Sequence, residues 1–445
     1  MVTIRPSTGN PGTMRLPLAL IALLFFCSRA PAAPSIDLVV VGAGDDVFTL
    51  YGHAGMLVRE DATTPLERGT LYNFGITRFD RPNYVQDFLT GRIEFWGLPQ
   101  NFARNLERWR REDRTVDRYP LALTESEATW LAARLAYVTA PERRNFVYDT
   151  FRRNCATRLR DLLDEATGGA VWAALGEDVM THSYRGDVRQ AYAGRPGLLL
   201  LTEVVPGVEL DRPRTRWELA YRPAALADGL ARVSVPGPAG PRSLLGAPER
   251  LHTRLGPDPL QGSPNKGRAF LFVLVGLLSA VAWVVARVGA RLRGGVLALY
   301  ALTALVVGLV LDVVGATTDW PDMQRNWLAV AVVPLDVFLL WPAARLLIWR
   351  RNARTLARVW LAMRAATTLA LVLVTPLWDA VHGPLAPRLL ALAGLAVAWR
   401  CLGRPPSRVP TPRRPPQGHP IHQAPIIITS SSDLPPRNIG RRSES

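Results

Sequence analysis

Lysine is almost absent from this chain, because Lys266 is the only one among 445 residues. The formal net charge of +16 therefore comes from arginine. Much of that arginine falls between apolar runs and in the C-terminal tail, without the clustered basic face and stacking aromatics that nucleic-acid binding requires. We expect no nucleic-acid partner, and we attribute the arginine bias to coding composition and membrane orientation.

Cysteine is scarce as well, with Cys27, Cys155 and Cys401 in three different kinds of segment. This distribution implies no disulfide framework. The sequence also contains no zinc-ligand spacing, no phosphate-cradling glycine loop and no nucleotide fingerprint. We therefore expect neither a metal nor any other cofactor.

The first residues have the features of a secretory signal. Met14 and Arg15 precede a short apolar stretch, and small residues follow at Ala30-Pro31-Ala32-Ala33. We predict a signal peptide over residues 1–33, with Met14 as an alternative start. The domain that follows is expected to be exported.

Composition divides the remainder into four parts. We predict a soluble domain (35–233), a proline- and glycine-rich tether (234–267), a membrane domain (268–402) and a disordered basic tail (403–445). The membrane domain contains about five apolar runs of roughly spanning length. They are residues 269–286, 296–316, 327–344, 357–378 and 385–399.

Arginine between the apolar runs predicts the orientation of the chain. The segment between the third and fourth runs is rich in arginine, whereas the loops 317–326 and 379–384 carry aspartate and only Arg325. By the positive-inside rule, the soluble domain lies outside the cytoplasm and the C-terminus lies inside. We therefore expect a multi-pass membrane protein.

The soluble domain has an α+β pattern. Thr124 and Glu127 have capping-box spacing at the start of a predicted helix, and a second helix runs from Cys155 to about Ala166 and ends at Gly168-Gly169. Five strands are predicted from apolar and β-branched runs. They cover Ile36–Val41, His53–Val58, Leu71–Ile76, Ile93–Leu98 and Thr115–Leu121.

Cys155 is the candidate nucleophile, because it is the single cysteine of the soluble domain and stands at a predicted helix start. Unpaired backbone N–H groups there can lower a thiol pKa from about 8.5 to roughly 3.5–7.5. A base is then needed, usually histidine. His53 lies at the mouth of a strand, whereas His182 is expected to face solvent and His252 lies in the tether. An inert buried cysteine with a structural histidine remains the alternative.

Several spaced motifs occur in one order along the soluble domain. They are Gly52-His53, Tyr72-Asn73-Phe74-Gly75, Phe88-Leu89-Thr90-Gly91, Tyr148-Asp149, Asn154-Cys155-Ala156-Thr157-Arg158 with Asp161, and an ending with Trp217-Glu218 and Tyr221-Arg222-Pro223. Together they resemble the N-terminal periplasmic domain of the Lnb family of bacterial lipoprotein N-acyltransferases. The resemblance covers about residues 35–225.

The resemblance implies a papain-like, circularly permuted NlpC-type fold in which the histidine strand precedes the cysteine helix. It also implies Cys155 as nucleophile and His53 as base. We expect Asn73, on the neighbouring predicted strand, to orient His53, with Tyr51 as the alternative. Asn154 is expected to be a helix cap or an oxyanion donor.

The implied reaction is acyl transfer by a protein of the bacterial inner membrane whose catalytic domain is periplasmic and whose C-terminus is cytoplasmic. Cys155 would take an acyl chain from a membrane phospholipid as a thioester. The amine of a lipoprotein's lipidated N-terminal cysteine would then accept that chain. The expected partners are a phospholipid donor, a lipoprotein acceptor and the membrane.

Two other function classes remain open, because fold alone does not determine chemistry. One is a periplasmic cysteine peptidase or amidase that acts on peptidoglycan or peptides. The other is a non-catalytic, membrane-anchored binding module. An unreactive Cys155 thiol would favour the second.

Two further features bear on lipid contact. Phe102, Leu106 and Trp109 share a helical face that either lies at the membrane surface or packs against the core. Asp312, Asp336 and Arg364 fall within the apolar runs, where they either serve a function or pair with one another. An outward-facing Asp336 would be able to hold the substrate's ammonium group.

Overall fold

The computed structural model describes residues 33–237, 240–285, 289–349, 355–374 and 384–403, together with Thr3 and Arg287. Nearly all of the predicted signal peptide and of the predicted C-terminal tail therefore lies outside the described residues. The same holds for Asp379.

The first part of the chain is an α/β domain built on a seven-stranded sheet. Its strands have the order β11-β5-β1-β2-β3-β4-β6, and neighbouring strands run antiparallel. The strands are β1 Ser35–Val41, β2 His53–Arg59, β3 Thr70–Ile76, β4 Glu94–Asn101, β5 Val116–Pro120, β6 Asn145–Val147, β7 Val179–Met180, β8 Arg214–Thr215, β9 Ser234–Val235, β10 Arg242–Ser243 and β11 Glu249–His252. Strands β7 and β8 pair separately, as do β9 and β10.

Helices cover both faces of the large sheet. In the α/β domain they are α1 Tyr84–Thr90, α2 Phe102–Arg111, α3 Glu125–Val138, α4 Cys155–Ala166, α5 Ala170–Leu175, α6 Tyr184–Ala191, α7 Pro196–Val204, α8 Arg216–Leu219 and α9 Pro223–Leu230. The remaining helices are α10 Pro264–Val285, α11 Ala290–Thr317, α12 Leu328–Ala331, α13 Leu340–Trp349, α14 Thr355–Val374 and α15 Leu385–Cys401.

Alternation along the strands divides the core into two layers. Leu38 and Met56 face helices α3, α4 and α9 on one side of the sheet. Val39 and Leu57 face α2 on the other side. Because successive strand residues point to opposite faces, a continuous apolar run such as that of β1 serves both layers.

The five predicted strands and both predicted helices are present with small shifts at their ends. Thr124 and Glu127 form the capping box of α3, and Gly168 and Gly169 both have positive φ where α4 ends. The helical face of Phe102, Leu106 and Trp109 is buried against the sheet. Core packing is therefore its role, and the membrane-surface interpretation is wrong.

The segment predicted to be a tether is folded in part. Strands β9 and β10 pair within it, and β11 joins the edge of the large sheet beside β5. Leu244 and Leu245 are buried in the core as well. Proline and glycine there therefore mark turns between short strands, and the tether prediction is corrected for residues 234–252.

The later part of the chain is a helical region, and its described residues include three stretches long and apolar enough to cross a membrane. They are Ala290–Thr317, Pro321–Trp349 and Thr355–Val374. The second is not one continuous helix, because α12 is followed by extended backbone at residues 332–333 and then by the 3₁₀ segment Pro334–Leu339, whose proline lacks a backbone donor. Within α10, the stretch Phe272–Val285 is apolar but shorter than these spans, and α15 has 17 residues. Three spans are therefore supported, and the predicted count of five is not confirmed.

Asp336 is buried among these helices and is fully paired. Its carboxylate accepts hydrogen bonds from the Tyr300 hydroxyl (2.8 Å), the Trp360 indole N–H (2.8 Å) and the Arg364 guanidinium (3.4 Å). Mutual pairing with Arg364 is thus confirmed. The outward-facing carboxylate is contradicted, because Asp336 has no exposed surface. Asp312, in contrast, is exposed.

Candidate active site

Cys155 is the first residue of helix α4, and its neighbour Asn154 caps that helix. The Asn154 side chain accepts the Thr157 N–H at 3.0 Å, and the Thr157 hydroxyl accepts the Asn154 N–H at 2.8 Å. This reciprocal pair satisfies two donors that a helix start would otherwise leave free. It holds the backbone of Cys155 in one geometry.

The amide group of Asn154 has no hydrogen-bond donor left for a substrate. Its nitrogen donates to the carbonyls of Thr150 and Tyr221, each at 2.8 Å, while its oxygen caps the helix. Both amide protons are used. The capping role is confirmed, and the alternative that its side chain donates to an oxyanion is contradicted.

His53 and Asn73 lie together on adjacent strands. His53 Nε2 is 2.8 Å from Asn73 Oδ1, and the Asn73 amide nitrogen donates to Gln100 Oε1 at 3.0 Å. With the Asn73 oxygen turned to the imidazole, the hydrogen bond requires the proton on Nε2, which leaves the lone pair on Nδ1. The predicted contact between Asn73 and His53 is present in the structure.

Two glycines of the predicted motifs lie around His53. Gly52 has φ +82°, and a Cβ on it would come within 2.5 Å of the Val41 carbonyl oxygen. A Cβ on Gly75 would come within 2.9 Å of His53 Cε1. Gly75 therefore leaves room for the imidazole, whereas Gly52 permits the turn that enters β2.

The starts of β2 and α4 come together at the sulfur. The backbone N–H of Ala54, the residue after His53, hydrogen-bonds the Cys155 sulfur and acts to lower the thiol pKa. The N–H groups of Ala156 and Cys155 act in the same direction. Residues about 100 positions apart in sequence are therefore joined at one thiol.

Burial decides the protonation of both groups. It is the largest influence on Cys155 and raises the thiol pKa despite the three backbone N–H groups. Burial, followed by the Arg114 cation, lowers the pKa of His53 to about 3. The expectation of a lowered thiol pKa is wrong, because the helix start is packed into the core. A neutral thiol and a neutral imidazole are the resting forms at neutral pH.

Sequence reasoning missed Arg114 and Gln100. Arg114 is 4% exposed, donates to the Gly42 carbonyl at 2.9 Å and acts electrostatically on both His53 and Cys155. Arg114 is far in sequence from both His53 and Cys155, so no local pattern indicates that it belongs to the site. Gln100 has no local sequence signal either. Its pairing with Leu71 places it on β4, beside the strand β3 that carries Asn73.

Tyr148 also lies beside the thiol. Burial and then the neighbouring Cys155 raise the pKa of its hydroxyl. Its ring stacks on Phe95 with centroids 4.2 Å apart. The sequence motif Tyr148-Asp149 includes this tyrosine but predicts no catalytic role for it.

The other candidate residues lie elsewhere. Tyr51 packs edge-on against Tyr221, with centroids 5.7 Å apart, so it does not replace Asn73 as the partner of His53. His182 is exposed, as predicted. His252, on the edge strand β11, donates its Nδ1–H to the Arg114 carbonyl oxygen, 2.9 Å away. Among the residues with described positions, no group of three or more His, Cys, Asp or Glu is placed to hold a metal ion.

The loop before Cys155 contacts the helical region directly. Arg152 makes two hydrogen bonds to Asp322, at 2.5 and 3.0 Å, and the Gly207 N–H donates to the Asp322 carbonyl at 2.7 Å. Asp322 belongs to the short turn Pro321–Met323 that follows α11. The candidate nucleophile therefore lies three residues from a contact with the apolar helices.

Residues 28–186 match the family model described as the Lnb N-terminal periplasmic domain. The predicted Lnb resemblance is confirmed. The match includes His53, Asn73 and Cys155. It ends before the motifs at Trp217 and Tyr221, so the predicted resemblance of that last segment stays a prediction. No curated protein and no solved structure matches the chain significantly.

Proposed function

We propose that this protein is a membrane-anchored cysteine acyltransferase that moves an acyl chain from a phospholipid to the N-terminal amine of a lipoprotein. One observation carries the proposal. An Lnb-type domain brings Cys155, at a helix start, next to the strand of His53 and its partner Asn73. The loop that precedes Cys155 also contacts the apolar helices, through Arg152. The membrane is the expected site of both substrates.

The arrangement is compatible with a papain-like, permuted NlpC-type fold. The histidine strand β2 precedes the cysteine helix α4, and α4 packs on the sheet that contains β2 and β3. The amide of Asn73 takes the place of the orienting residue in such triads. Cys155, His53 and Asn73 are the proposed catalytic group.

In the proposed first step, His53 Nδ1 takes the proton of the Cys155 thiol while the sulfur attacks the ester carbonyl carbon of the phospholipid. The His53 ring packs 6.3 Å from the Trp109 ring of α2, so this step requires the imidazole to come within hydrogen-bond distance of the sulfur. The resulting oxyanion is stabilised by the backbone N–H of Cys155. With the Asn154 amide occupied, the neighbouring Tyr148 hydroxyl is the proposed second donor. The C–O bond then breaks, His53 returns the proton to the departing lyso-phospholipid oxygen, and a thioester remains on Cys155.

In the second step, the lipoprotein amine attacks the thioester carbonyl and gives a proton to His53. Collapse of the tetrahedral intermediate breaks the C–S bond and forms the amide. The proton on His53 returns to the Cys155 sulfur. The resting His53 is neutral and has a free lone pair in both steps, but its pKa of about 3 makes it a weak base, so proton transfer depends on the charge that develops during attack.

A large apolar cavity lies between α7 and the apolar helices. Its volume is about 760 Å³, within the range of small-molecule pockets. Leu200 and Leu201 of α7 form one wall, and Leu299 of α11 and Leu390 of α15 line it from the helical region. None of its lining residues belongs to the proposed catalytic group, so the cavity is suited to apolar molecules but does not place an acyl chain at Cys155.

One observation favours a non-catalytic binding module as the second candidate. The raised thiol pKa of Cys155 and the lowered pKa of His53 mean that the two groups do not form an ion pair at rest. The Cys155 side chain is therefore a protonated thiol, not a reactive thiolate, in the free protein. The enzyme proposal requires that proton transfer to His53 accompany attack.

The decisive experiment is to trap the acyl intermediate. Full-length protein reconstituted with a phospholipid of defined chains is quenched in acid, digested and analysed by mass spectrometry, with a diacylated lipopeptide added in a parallel sample. We expect a thioester on Cys155 that the lipopeptide discharges. Cys155→Ala and His53→Ala should abolish the adduct, and Tyr148→Phe should slow it by about 100-fold.

His182→Ala is the matched control, because that histidine is exposed and lies outside the site. It should leave adduct formation unchanged. An adduct that persists in His53→Ala would contradict the proposal. Cleavage of a peptidoglycan peptide without any lipid adduct would instead support a peptidase or amidase.

A further inference from the structure

Four large apolar side chains form an exposed surface on one side of the α/β domain. Phe48 (65% exposed), Phe79 (58%), Val85 (67%) and Leu89 (53%) make up what we call the apolar lip. Phe48 belongs to the turn Val47–Thr49 that precedes His53. Val85 and Leu89 are four residues apart on α1 and therefore share one helical face.

Aromatic contacts continue the lip along the surface toward Tyr84. The rings of Phe48 and Phe79 lie 5.2 Å apart, and those of Phe79 and Tyr84 lie 5.3 Å apart. Burial raises the pKa of the Tyr148 hydroxyl, and Cys155 and Tyr84 are both among the groups that raise it further. A series of aromatic contacts therefore runs from Phe48 to Tyr84, which acts electrostatically on the same tyrosine as the candidate nucleophile.

The lip is also continuous with the first apolar span. Helix α1 contacts α11, the Asp319 N–H donates to the Thr90 carbonyl at 2.8 Å, and Arg92 pairs with Asp319 at 2.7 Å. Phe88 packs edge-on against Trp320 at 5.0 Å. These contacts fix α1 at the end of α11 that faces the α/β domain.

We propose that the apolar lip is inserted into the adjacent leaflet of the bilayer and guides a lipid acyl chain to Cys155. The insertion is independent of the chemistry, whereas the guiding role rests on the proposed acyl transfer. The occupant of the surface is bilayer lipid. A protein partner is disfavoured, because α1, which carries Val85 and Leu89, is held through Phe88 and Trp320 at the end of a spanning helix, where the lipid interface is expected.

Insertion is tested with fluorescent labels on the full-length protein. Leu89→Cys and Val85→Cys are prepared in a background carrying Cys27→Ala, Cys155→Ala and Cys401→Ala, labelled with bimane and reconstituted into phosphatidylcholine and phosphatidylglycerol nanodiscs. Nitroxide on the lipid acyl chains should quench both labels roughly threefold more than a control label, since an interfacial face lies about 5–10 Å within the boundary. Trp172→Cys, on α5 and 51% exposed, is the control.

The opposite pattern would overturn the proposal. If aqueous iodide quenches the Leu89 and Val85 labels as well as it quenches the control, and lipid nitroxide does not quench them, the lip lies in water. A protein segment would then be the remaining occupant. Neither result depends on whether Cys155 is catalytic.

The guiding role is tested by changing the donor. Leu89→Glu and Phe79→Glu should reduce Cys155 acylation by bilayer phospholipid at least about tenfold, since a charge on an inserted face opposes its burial in lipid. Acylation by a water-soluble short-chain ester should be unchanged, which also shows that the variants are folded. Equal loss with both donors would refute guiding. No adduct in the wild-type protein with either donor would refute the proposed acyl transfer, while the labelling result for the lip would stand.

Discussion

At Cys155, burial and the backbone act on one thiol in opposite directions. The N–H groups of Ala54, Cys155 and Ala156 lower its pKa, but burial is larger and the net shift is upward. His53 is shifted downward by burial and by Arg114. The pair is thus neutral at rest, and its reactivity depends on proton transfer during attack.

Alkylation of Cys155 tests this electrostatic state. In a variant carrying Cys27→Ala and Cys401→Ala, the rate of reaction with iodoacetamide should keep rising with pH beyond the ordinary thiol value of about 8.5, since only the thiolate reacts. The rate constants are measured by mass spectrometry across the pH series. A plateau already reached below neutral pH would show a preformed ion pair and contradict the assignment.

At the level of elements, much of the site's backbone follows from local sequence. The strand that carries His53 and the helix that begins at Cys155 are both predicted from apolar spacing and caps. Local sequence does not reveal the second contact of Asn154. Its side-chain amide also donates a hydrogen bond to the carbonyl of Tyr221, 67 residues away. That contact connects α4 to Tyr221, which lies between α8 and α9.

Replacement of this cap should therefore cost more than replacement of an ordinary one. Asn154→Ala removes the cap of α4 and leaves buried carbonyls without a donor, so we expect a loss of about 2–4 kcal/mol in unfolding free energy. Asn101→Ala, which removes the exposed cap of α2, should cost about 1 kcal/mol. Denaturant titration followed by circular dichroism compares the two variants. Equal losses would show that the contacts of Asn154 beyond its own helix contribute little.

At the scale of the whole molecule, the ion pairs between the α/β domain and the helical region include two of different character. Arg152 and Asp322 form a bidentate pair in which the Asp322 side chain is 3% exposed. Arg92 and Asp319 form a pair in which both side chains are more than half exposed. The buried Asp322 carboxylate depends more strongly on its partner Arg152 than the exposed Asp319 does on Arg92, because an unpaired charge in a buried position is poorly solvated.

Asp322→Asn should loosen the loop before Cys155, whereas Asp319→Asn should not. Breaking the buried pair is expected to cost about 2–3 kcal/mol locally, against 0–1 kcal/mol for the exposed pair. Hydrogen exchange of residues 149–153 in the full-length protein measures the difference. The double exchange Arg152→Asp with Asp322→Arg should recover part of the protection. Unchanged exchange in Asp322→Asn would exclude this contact as a support of the loop.

Sequence by itself determined the main strands, the two capped helices, the apolar runs and the candidates Cys155 and His53, because periodicity and capping act over a few residues. It also predicted the contact between His53 and Asn73, since neighbouring strands can be anticipated. The tertiary structure decided the protonation of the thiol, the full occupation of Asn154, the edge strand in the expected tether and the apolar lip. Each of these depends on burial or on contacts between residues far apart in the chain, and no local pattern records them.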